Sequence, residues 1–196
     1  MHYTLCDLFS DLTQNAIEAG SSKVTVSLVE SDGTISLEIA DDGKGMTEDQ
    51  LKRATDPFYT DGVKHPGRKI GLGIPFLIQT AETTGGTWKI RSAPAGGDAP
   101  HGTVVTCSFD LANIDTPPVG DVTGYFRQIL TFEGRYELTI THSANRGGRA
   151  FEYSVRRSEL LEALGLEAFG LGESGAYPDA ASLALIGRYL ESLMEE

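Results

Sequence analysis

The chain has 196 residues, of which 40% are hydrophobic and 22% charged, the composition of a soluble globular protein. Its net charge of −12 argues against a nucleic-acid partner, which needs a basic surface, and its two cysteines and four histidines form neither a disulfide framework nor a zinc-site pattern. No apolar run reaches the roughly 20 residues of a membrane helix and the acidic N-terminus is no secretory leader, so we expect a cytoplasmic protein without a membrane partner.

The first predicted element is an amphipathic helix over residues 4–19, followed by a glycine suited to end it. Its apolar side recurs at helical spacing and comprises Leu5, Leu8, Phe9, Leu12 and Ala16. Its opposite side carries a polar stripe, formed by Asp7, Asp11, Asn15 and Glu18. Most such stripes are solvated faces, but three acids and an amide also suit a cation. The helix alone leaves both interpretations open.

A β-hairpin is predicted next, with alternating strands over residues 24–28 and 35–39 around an Asp-Gly turn. The second strand runs directly into the segment DDGKGM, residues 41–46. Its two glycines allow positive backbone angles and the close approach of a flat ligand, and an acid at a strand end is held rigidly enough to read a hydrogen-bond donor. An ordinary acidic turn has the same composition, so this segment alone does not decide between them.

A short helix is predicted through Ala54, because Thr47 and Gln50 form a capping-box pattern. The segment DPFYT, residues 56–60, ends this helix at its proline. Residues 61–70 then place basic side chains among glycine and proline. This segment is either a solvated loop or a lid whose cations approach an anion.

The segment GLG, residues 71–73, opens a further helix that is predicted to end at Gly85. Exposed amides at a glycine-rich helix start suit phosphate. This is neither a Walker A loop, since no GK[ST] follows, nor a dinucleotide fingerprint, since the third glycine is absent. Two strands, over residues 87–92 and 103–111, complete the first unit.

A break in composition at DTPPVGD, residues 115–121, predicts a boundary between one domain over residues 1–114 and another over residues 115–196. The elements predicted after the break are a helix over 122–130, hairpin strands over 135–142 and 149–155, a helix over 158–164 capped by Ser158, and an amphipathic helix over 178–194. No catalytic grouping lies in this half. It is either a docking module or an extension that completes the core.

Four segments in this order carry a resemblance to a known family: DLTQNAIEAG, DDGKGM, DPFYT and GLG. Residues 4–111 resemble the ATP-binding domain of the GHKL superfamily, which includes DNA gyrase, the heat-shock chaperone ATPase, histidine kinases and MutL. The resemblance implies an α+β fold, the two-layer α/β sandwich called the Bergerat fold, with a small α+β C-terminal appendage. It also implies that ATP lies between helices and sheet under a mobile lid.

The resemblance further implies roles for individual residues. Asn15 would bind Mg²⁺ at the phosphates, and Asp11 stands where the family's ATPases carry a glutamate general base that is one methylene longer. Asp41 would accept a hydrogen bond from the adenine amino group, with Thr103 helping through a water. The predicted ATP-binding residues are Asn15, Asp41, Gly43, Gly45, Met46, Arg68, Lys69, Gly71, Leu72, Gly73 and Thr103, with Asp11 as the catalytic residue.

The family contains several activities, and the motifs do not all match one branch. The segment NAIEAG resembles the ATPases, whereas DPFYT and GLGIPF resemble kinases, including the small anti-sigma-factor kinases. Because Asp11 lies so near the start of the sequence, we expect a stand-alone protein rather than a complete sensor kinase. We predict a regulatory kinase or ATP-driven switch that uses Mg-ATP and acts on a protein partner or phosphoacceptor. The alternatives are a slow ATPase homodimer and a nucleotide sensor without turnover.

Overall fold

The computed structural model describes residues 4–56, 73–96, 100–165 and 180–194. The helices of these ranges are α1 (Leu5–Glu18), α2 (Glu48–Thr55), α3 (Gly73–Thr84), α4 (Val122–Leu130), α5 (Arg157–Ala163) and α6 (Ala180–Ser192). The strands are β1 (Lys23–Ser31), β2 (Thr34–Asp41), β3 (Thr87–Ala93), β4 (Gly102–Asp110), β5 (Glu137–Arg146) and β6 (Arg149–Arg156). In this part of the chain, no helix has the length and apolar character needed to cross a membrane.

All six strands belong to one sheet, in the order β3-β4-β2-β1-β5-β6. Burial alternates along the strands, so that Val26 of β1, Ile39 of β2 and Ile140 of β5 are buried on one face. Helices α1 and α3 pack on the strands, and α4 and α6 extend the helical layer. The predicted α+β, two-layer α/β architecture is therefore confirmed.

The region after residue 114 contributes to the same sheet and core as the region before it. Strand β5 pairs in parallel with β1, and Leu138 and Ile140 of β5 are fully buried. Helix α4 packs against α1. The division into domains at residues 114 and 115 stays a prediction; in the structure the two regions meet along a full-length strand pairing.

The start of helix α5 differs from the prediction. Helix α5 begins at Arg157, and its N-cap residue, Arg156, makes no side-chain capping bond, so the predicted cap at Ser158 is wrong. The reason lies in Arg157, which is 2% exposed. Its guanidinium donates to the carbonyl oxygens of Leu130 at 2.9 Å and Tyr136 at 3.1 Å. Arg157 is thus held by a buried contact with distant backbone, which a local capping pattern does not reveal.

Candidate functional site

A cavity of about 300 Å³ lies between α1, the strands β2 and β4, and the loop that follows β2. Its lining residues are Leu12, Asn15, Ala16, Glu18, Ala19, Ile39, Asp41, Lys44, Gly45, Met46, Ile74, Thr103 and Val105. Most of the wall is apolar, and a few polar groups converge on it. This is the usual composition of a small-molecule site. Five of the predicted site residues therefore line one cavity: Asn15, Asp41, Gly45, Met46 and Thr103.

A second concavity, of about 640 Å³, lies between α5 and the start of β5. It is larger, but none of the predicted site residues lines it. Its buried cation, Arg157, donates to backbone carbonyl groups. We therefore assign the candidate site to the smaller cavity, in which acidic and amide side chains meet an apolar wall.

Asp41 stands at the end of β2, where its carboxylate is held from two directions. Its Oδ1 accepts a hydrogen bond from the Gly43 amide at 2.8 Å and lies 3.2 Å from Ser21 Oγ. Burial raises the pKa of Asp41, and the bonds from Gly43 and Ser21 offset this effect only in part. A partly buried carboxyl that is fixed against a cavity wall is suited to accept a hydrogen bond from a ligand.

The neighbouring acid, Asp42, makes hydrogen bonds to the start of β1 instead of lining the cavity. Its Oδ1 accepts from the backbone amides of Ser22 and Lys23, both at 2.8 Å, and its Oδ2 accepts from Ser22 Oγ at 2.6 Å. Burial opposes ionisation of Asp42, but these hydrogen bonds outweigh it and lower the pKa of this carboxyl. Asp42 therefore holds the start of β1, and Asp41 is the acid that lines the cavity.

The two glycines of the loop after β2 are required by packing. Gly45 has φ +59°, and a Cβ atom on it would collide with the carbonyl oxygen of Ala93. A Cβ atom on Gly43 would lie 2.6 Å from Ser21 Oγ and 2.9 Å from Asp41 Oδ1. Both positions therefore let the loop approach its neighbours closely, which places Gly45 in the cavity wall.

Met46 and Thr103 are joined through a serine that the sequence did not indicate. The amide of Met46 donates to Ser92 Oγ at 2.8 Å, and Ser92 Oγ lies 2.8 Å from Thr103 Oγ1. Similarly, His101 Nδ1 lies 2.7 Å from the Gly43 carbonyl oxygen. Neither Ser92 nor His101 belongs to a recognisable motif, since each becomes part of the site only through strand pairing and loop contact.

Asp11 and Asn15 face the first residue of α3. A Cβ atom on Gly73 would lie 2.6 Å from Asp11 Oδ2 and 3.1 Å from Asn15 Nδ2. The structure thus brings together Asp11, Asn15 and Gly73, which the resemblance places at the phosphates. A side chain at this position would have to displace the ends of the Asp11 and Asn15 side chains, so glycine keeps the space in front of the acid and the amide open.

The rest of the polar stripe on α1 does not act as one unit. Asp7 accepts from the Thr4 amide at 3.0 Å and completes a capping box at the helix start. Glu18 accepts from Gln14 Nε2 at 2.8 Å and lies at the cavity wall. The stripe therefore divides into a cap, a pair beside Gly73, and an acid paired along the helix.

Asp11 and Asn15 carry a carboxylate and an amide, whose oxygens are of the kind that Mg²⁺ takes before it completes its shell with water and phosphate. In the described ranges no group of three or more His, Cys, Asp or Glu side chains forms a metal cluster. A magnesium ion bound together with a nucleotide needs no such cluster, so Asn15 and Asp11 fit this ion. Four predicted residues lie outside the described ranges: Arg68, Lys69, Gly71 and Leu72.

The raised pKa of Asp41 predicts that Asp41→Asn stabilises the ligand-free protein at neutral pH. Because the folded-state pKa lies above the ordinary value of 3.8, the contribution of this carboxyl to stability is greatest below that value and is lost as the pH rises through the folded-state pKa. Urea unfolding at pH 7 and at about pH 4 measures the effect. The advantage of the asparagine variant should shrink in acid, and an advantage independent of pH would contradict the prediction.

Comparison with known proteins identifies a family and several similar proteins. Residues 3–113 match the family described as histidine kinase-, DNA gyrase B-, and HSP90-like ATPase. The chain is similar to the signal transduction histidine-protein kinase AfsQ2 of Streptomyces coelicolor, with 33% identity over 91 residues that are 46% of this chain and 17% of that protein. It is similar to sporulation kinase E of Bacillus subtilis, with 37% identity over 78 residues that are 38% of this chain and 10% of that protein. The chain thus spans less than a fifth of the length of these relatives.

Among solved structures, the chain is similar to the MutL ATPase domain of Aquifex aeolicus complexed with ADP. The TM-score is 0.50 at 16% identity, and the match covers 87% of this chain and 70% of that chain. At this identity the likeness concerns the fold. The structural match covers more of this chain than residues 3–113 do. Part of the region after residue 113 therefore has the same fold as the MutL domain.

Proposed function

Because this chain belongs to the family of histidine kinase-, DNA gyrase B- and HSP90-like ATPases, we propose that it binds Mg-ATP in the cavity between α1 and β2. One observation carries the proposal: Asn15 from the helix and Asp41 from the strand line the same cavity. Mg-ATP requires two such groups, one at each end. The acid accepts a hydrogen bond from the adenine amino group, and the amide binds the metal at the phosphates. The apolar wall between them suits a flat base.

Each residue has one task in the proposed complex. Asp41 accepts a hydrogen bond from the adenine amino group, and Gly43 and Ser21 keep its carboxylate in place. Asn15 holds Mg²⁺, which neutralises charge on the phosphates. Asp11, beside Gly73, orients the group that attacks the terminal phosphate. The amide end of α3 faces the same region and favours negative charge there.

We infer that the site acts on a protein partner in the cytoplasm. The relatives with similar sequence are named as kinases, one of them as a histidine-protein kinase, and in them the matched region is a small part of a longer chain. Phosphoryl transfer requires positioning and charge neutralisation more than covalent chemistry by the protein, so this cavity suits transfer to a Ser, Thr or His side chain. An ATP-driven switch, acting as a homodimer or on a partner, would use the same site.

Asn15→Ala should reduce the affinity for ATP about tenfold or more in the presence of Mg²⁺, and far less in EDTA, because it removes a metal ligand and leaves the base contacts in place. Isothermal titration calorimetry with ATP measures both affinities. Gln128→Ala is the control, since Gln128 is an exposed amide on α4 that does not line the cavity. Equal Mg-ATP affinity of wild type and Asn15→Ala would refute the assignment of Asn15.

Asp11→Asn separates an enzyme from a sensor in the same series. An enzyme should keep ATP binding in this variant and lose hydrolysis or radiolabel transfer to proteins of a lysate. A wild-type chain that binds ATP but shows neither activity would support a sensor. A wild-type chain that binds no ATP would refute the proposal as a whole.

A further inference from the structure

Helix α1 is held at its start by the segment that precedes α4. The amide of Leu5 donates to the Pro118 carbonyl and that of Cys6 to the Val119 carbonyl, both at 2.9 Å. These two amides belong to the first turn, whose N–H groups have no partner within the helix. Gly120 has φ +90°, and a Cβ atom on it would lie 2.6 Å from Thr4 Oγ1. The segment therefore sets the position of α1 along its axis.

The back of α1 is held by one buried hydrogen bond to α4. Thr13 Oγ1 lies 2.9 Å from the Tyr125 hydroxyl, and the two residues are 0% and 2% exposed. Thr13 also donates its single hydroxyl proton to the Phe9 carbonyl at 2.8 Å. Tyr125 is consequently the donor in the bond between the helices. Burial raises the pKa of the Tyr125 hydroxyl, so this donor keeps its proton.

This bond lies directly behind the two residues proposed to act at the phosphates. At 100° per residue, Thr13 is 200° around α1 from Asp11 and from Asn15, and the latter two differ by about 40°. Thr13 thus holds the back of the turn whose front faces Gly73. The ring of Phe9 adds a contact of 6.1 Å between ring centres with Tyr125. Loss of the bond between Thr13 and Tyr125 would therefore remove a support behind the turn that carries Asp11 and Asn15.

We propose that Tyr125 is a positioning residue of the nucleotide site, which acts through Thr13 on Asp11 and Asn15. The inference rests on the proposed function, because it concerns how Mg-ATP is held at its phosphate end. It assigns to the region after residue 114 a role in the site: α4 sets the distance between α1 and the start of α3. The base end is affected less, because Asp41 lies on β2 and its carboxylate accepts from the Gly43 amide.

The test compares Tyr125→Phe with Tyr136→Phe, which is matched in chemistry and burial. Tyr136 is 6% exposed, and its hydroxyl donates to the Ile129 carbonyl at 2.8 Å and the Phe132 carbonyl at 3.0 Å, at the C-terminal end of α4, rather than to a residue of α1. Both variants lose a buried hydroxyl. Calorimetric titration with ATP, in Mg²⁺ and in EDTA, is carried out well below the unfolding temperature of each variant, which circular dichroism establishes.

We expect Tyr125→Phe and Thr13→Val each to weaken Mg-ATP binding about fivefold and to leave ATP binding in EDTA nearly unchanged. The double variant should lose no more than either single variant, and Thr13→Ser should restore binding because it keeps the hydroxyl. Tyr136→Phe should bind as wild type does.

Wild-type affinity in Tyr125→Phe would overturn the inference and leave the proposed function intact. Equal losses in Tyr125→Phe and Tyr136→Phe, or equal losses with and without Mg²⁺, would also overturn it, since they indicate general loosening. A wild-type protein that binds no ATP would overturn the proposed function and this inference together.

Discussion

Asp41→Asn is expected to reduce the affinity for ATP about 100-fold. In the proposed complex the carboxylate accepts a hydrogen bond from the adenine amino group, and the asparagine side chain can turn an NH₂ group toward that donor. A lost hydrogen bond to a charged group, together with an unpaired buried donor, costs about 2–3 kcal/mol, which corresponds to roughly a hundredfold change in affinity. Isothermal titration with Mg-ATP measures this loss.

Asp42→Asn is the matched control for this experiment. Asp42 is adjacent in sequence, but its carboxylate accepts from Ser22 and Lys23 rather than lining the cavity. We expect this variant to lose stability and to keep its affinity for ATP. If both variants lost affinity equally, the integrity of the loop would be the cause, and the assignment of Asp41 as the base-reading acid would be wrong.

The second large effect is expected for Gly45→Ala. Gly45 has φ +59°, a region that costs an L-residue about 1–2 kcal/mol, and its new Cβ atom would collide with the Ala93 carbonyl oxygen. Neither the new Cβ atom nor the Ala93 carbonyl oxygen can be moved by a change of side-chain rotamer. The loop after β2 must therefore move. We expect the free energy of unfolding to fall by about 3 kcal/mol or more and ATP binding to be lost. Urea unfolding and titration measure the two effects.

Gly147→Ala separates the backbone angle from the collision. Gly147 has φ +60°, almost the angle of Gly45, and no atom lies within 4 Å of the position that its Cβ would take. This variant should lose only the 1–2 kcal/mol of the backbone angle and bind ATP normally. Similar losses of stability in the two variants would show that the Ala93 contact relaxes without cost, contrary to our expectation.

These experiments test different contacts between the cavity and the rest of the molecule. Asp41 ends β2 and Gly45 lies in the loop that follows, whereas Tyr125 contacts α1, which forms another wall of the cavity. Loss of the base contact should appear with and without Mg²⁺, and loss of the phosphate contact only with it. The magnesium dependence of each variant therefore identifies which end of the site has changed.

Local signals predicted most of the first half of the fold correctly. The capping box of Thr47 and Gln50 marks the start of α2, where both of its hydrogen bonds are present. The two-residue turn at Asp32 and Gly33 joins β1 to β2 as predicted. The first strand after residue 114 was placed less accurately, since β5 spans Glu137–Arg146 along its parallel partner rather than residues 135–142, whereas β6 begins at Arg149 as predicted.

The candidate site was predictable in part. The order of the four motifs pointed to Asn15 and Asp41, and these residues do line one cavity; that they bind Mg-ATP stays a prediction. Ser21 and Ser92 escaped prediction, because a serine becomes a hydrogen-bond partner of Asp41 or Met46 only when distant segments meet. Arg68 and Lys69 lie outside the described residues, so their predicted role stays untested.

By itself the sequence determined the helices, the turns and the family, since hydrophobic periodicity, caps and glycine motifs are written within a few residues of one another. Only the tertiary structure decided that β5 lies beside β1 and that Tyr125 supports Thr13 from 112 residues away. The physical reason is that each of these outcomes depends on a partner far along the chain. A local sequence pattern does not identify that partner, because the contact exists only in the folded protein.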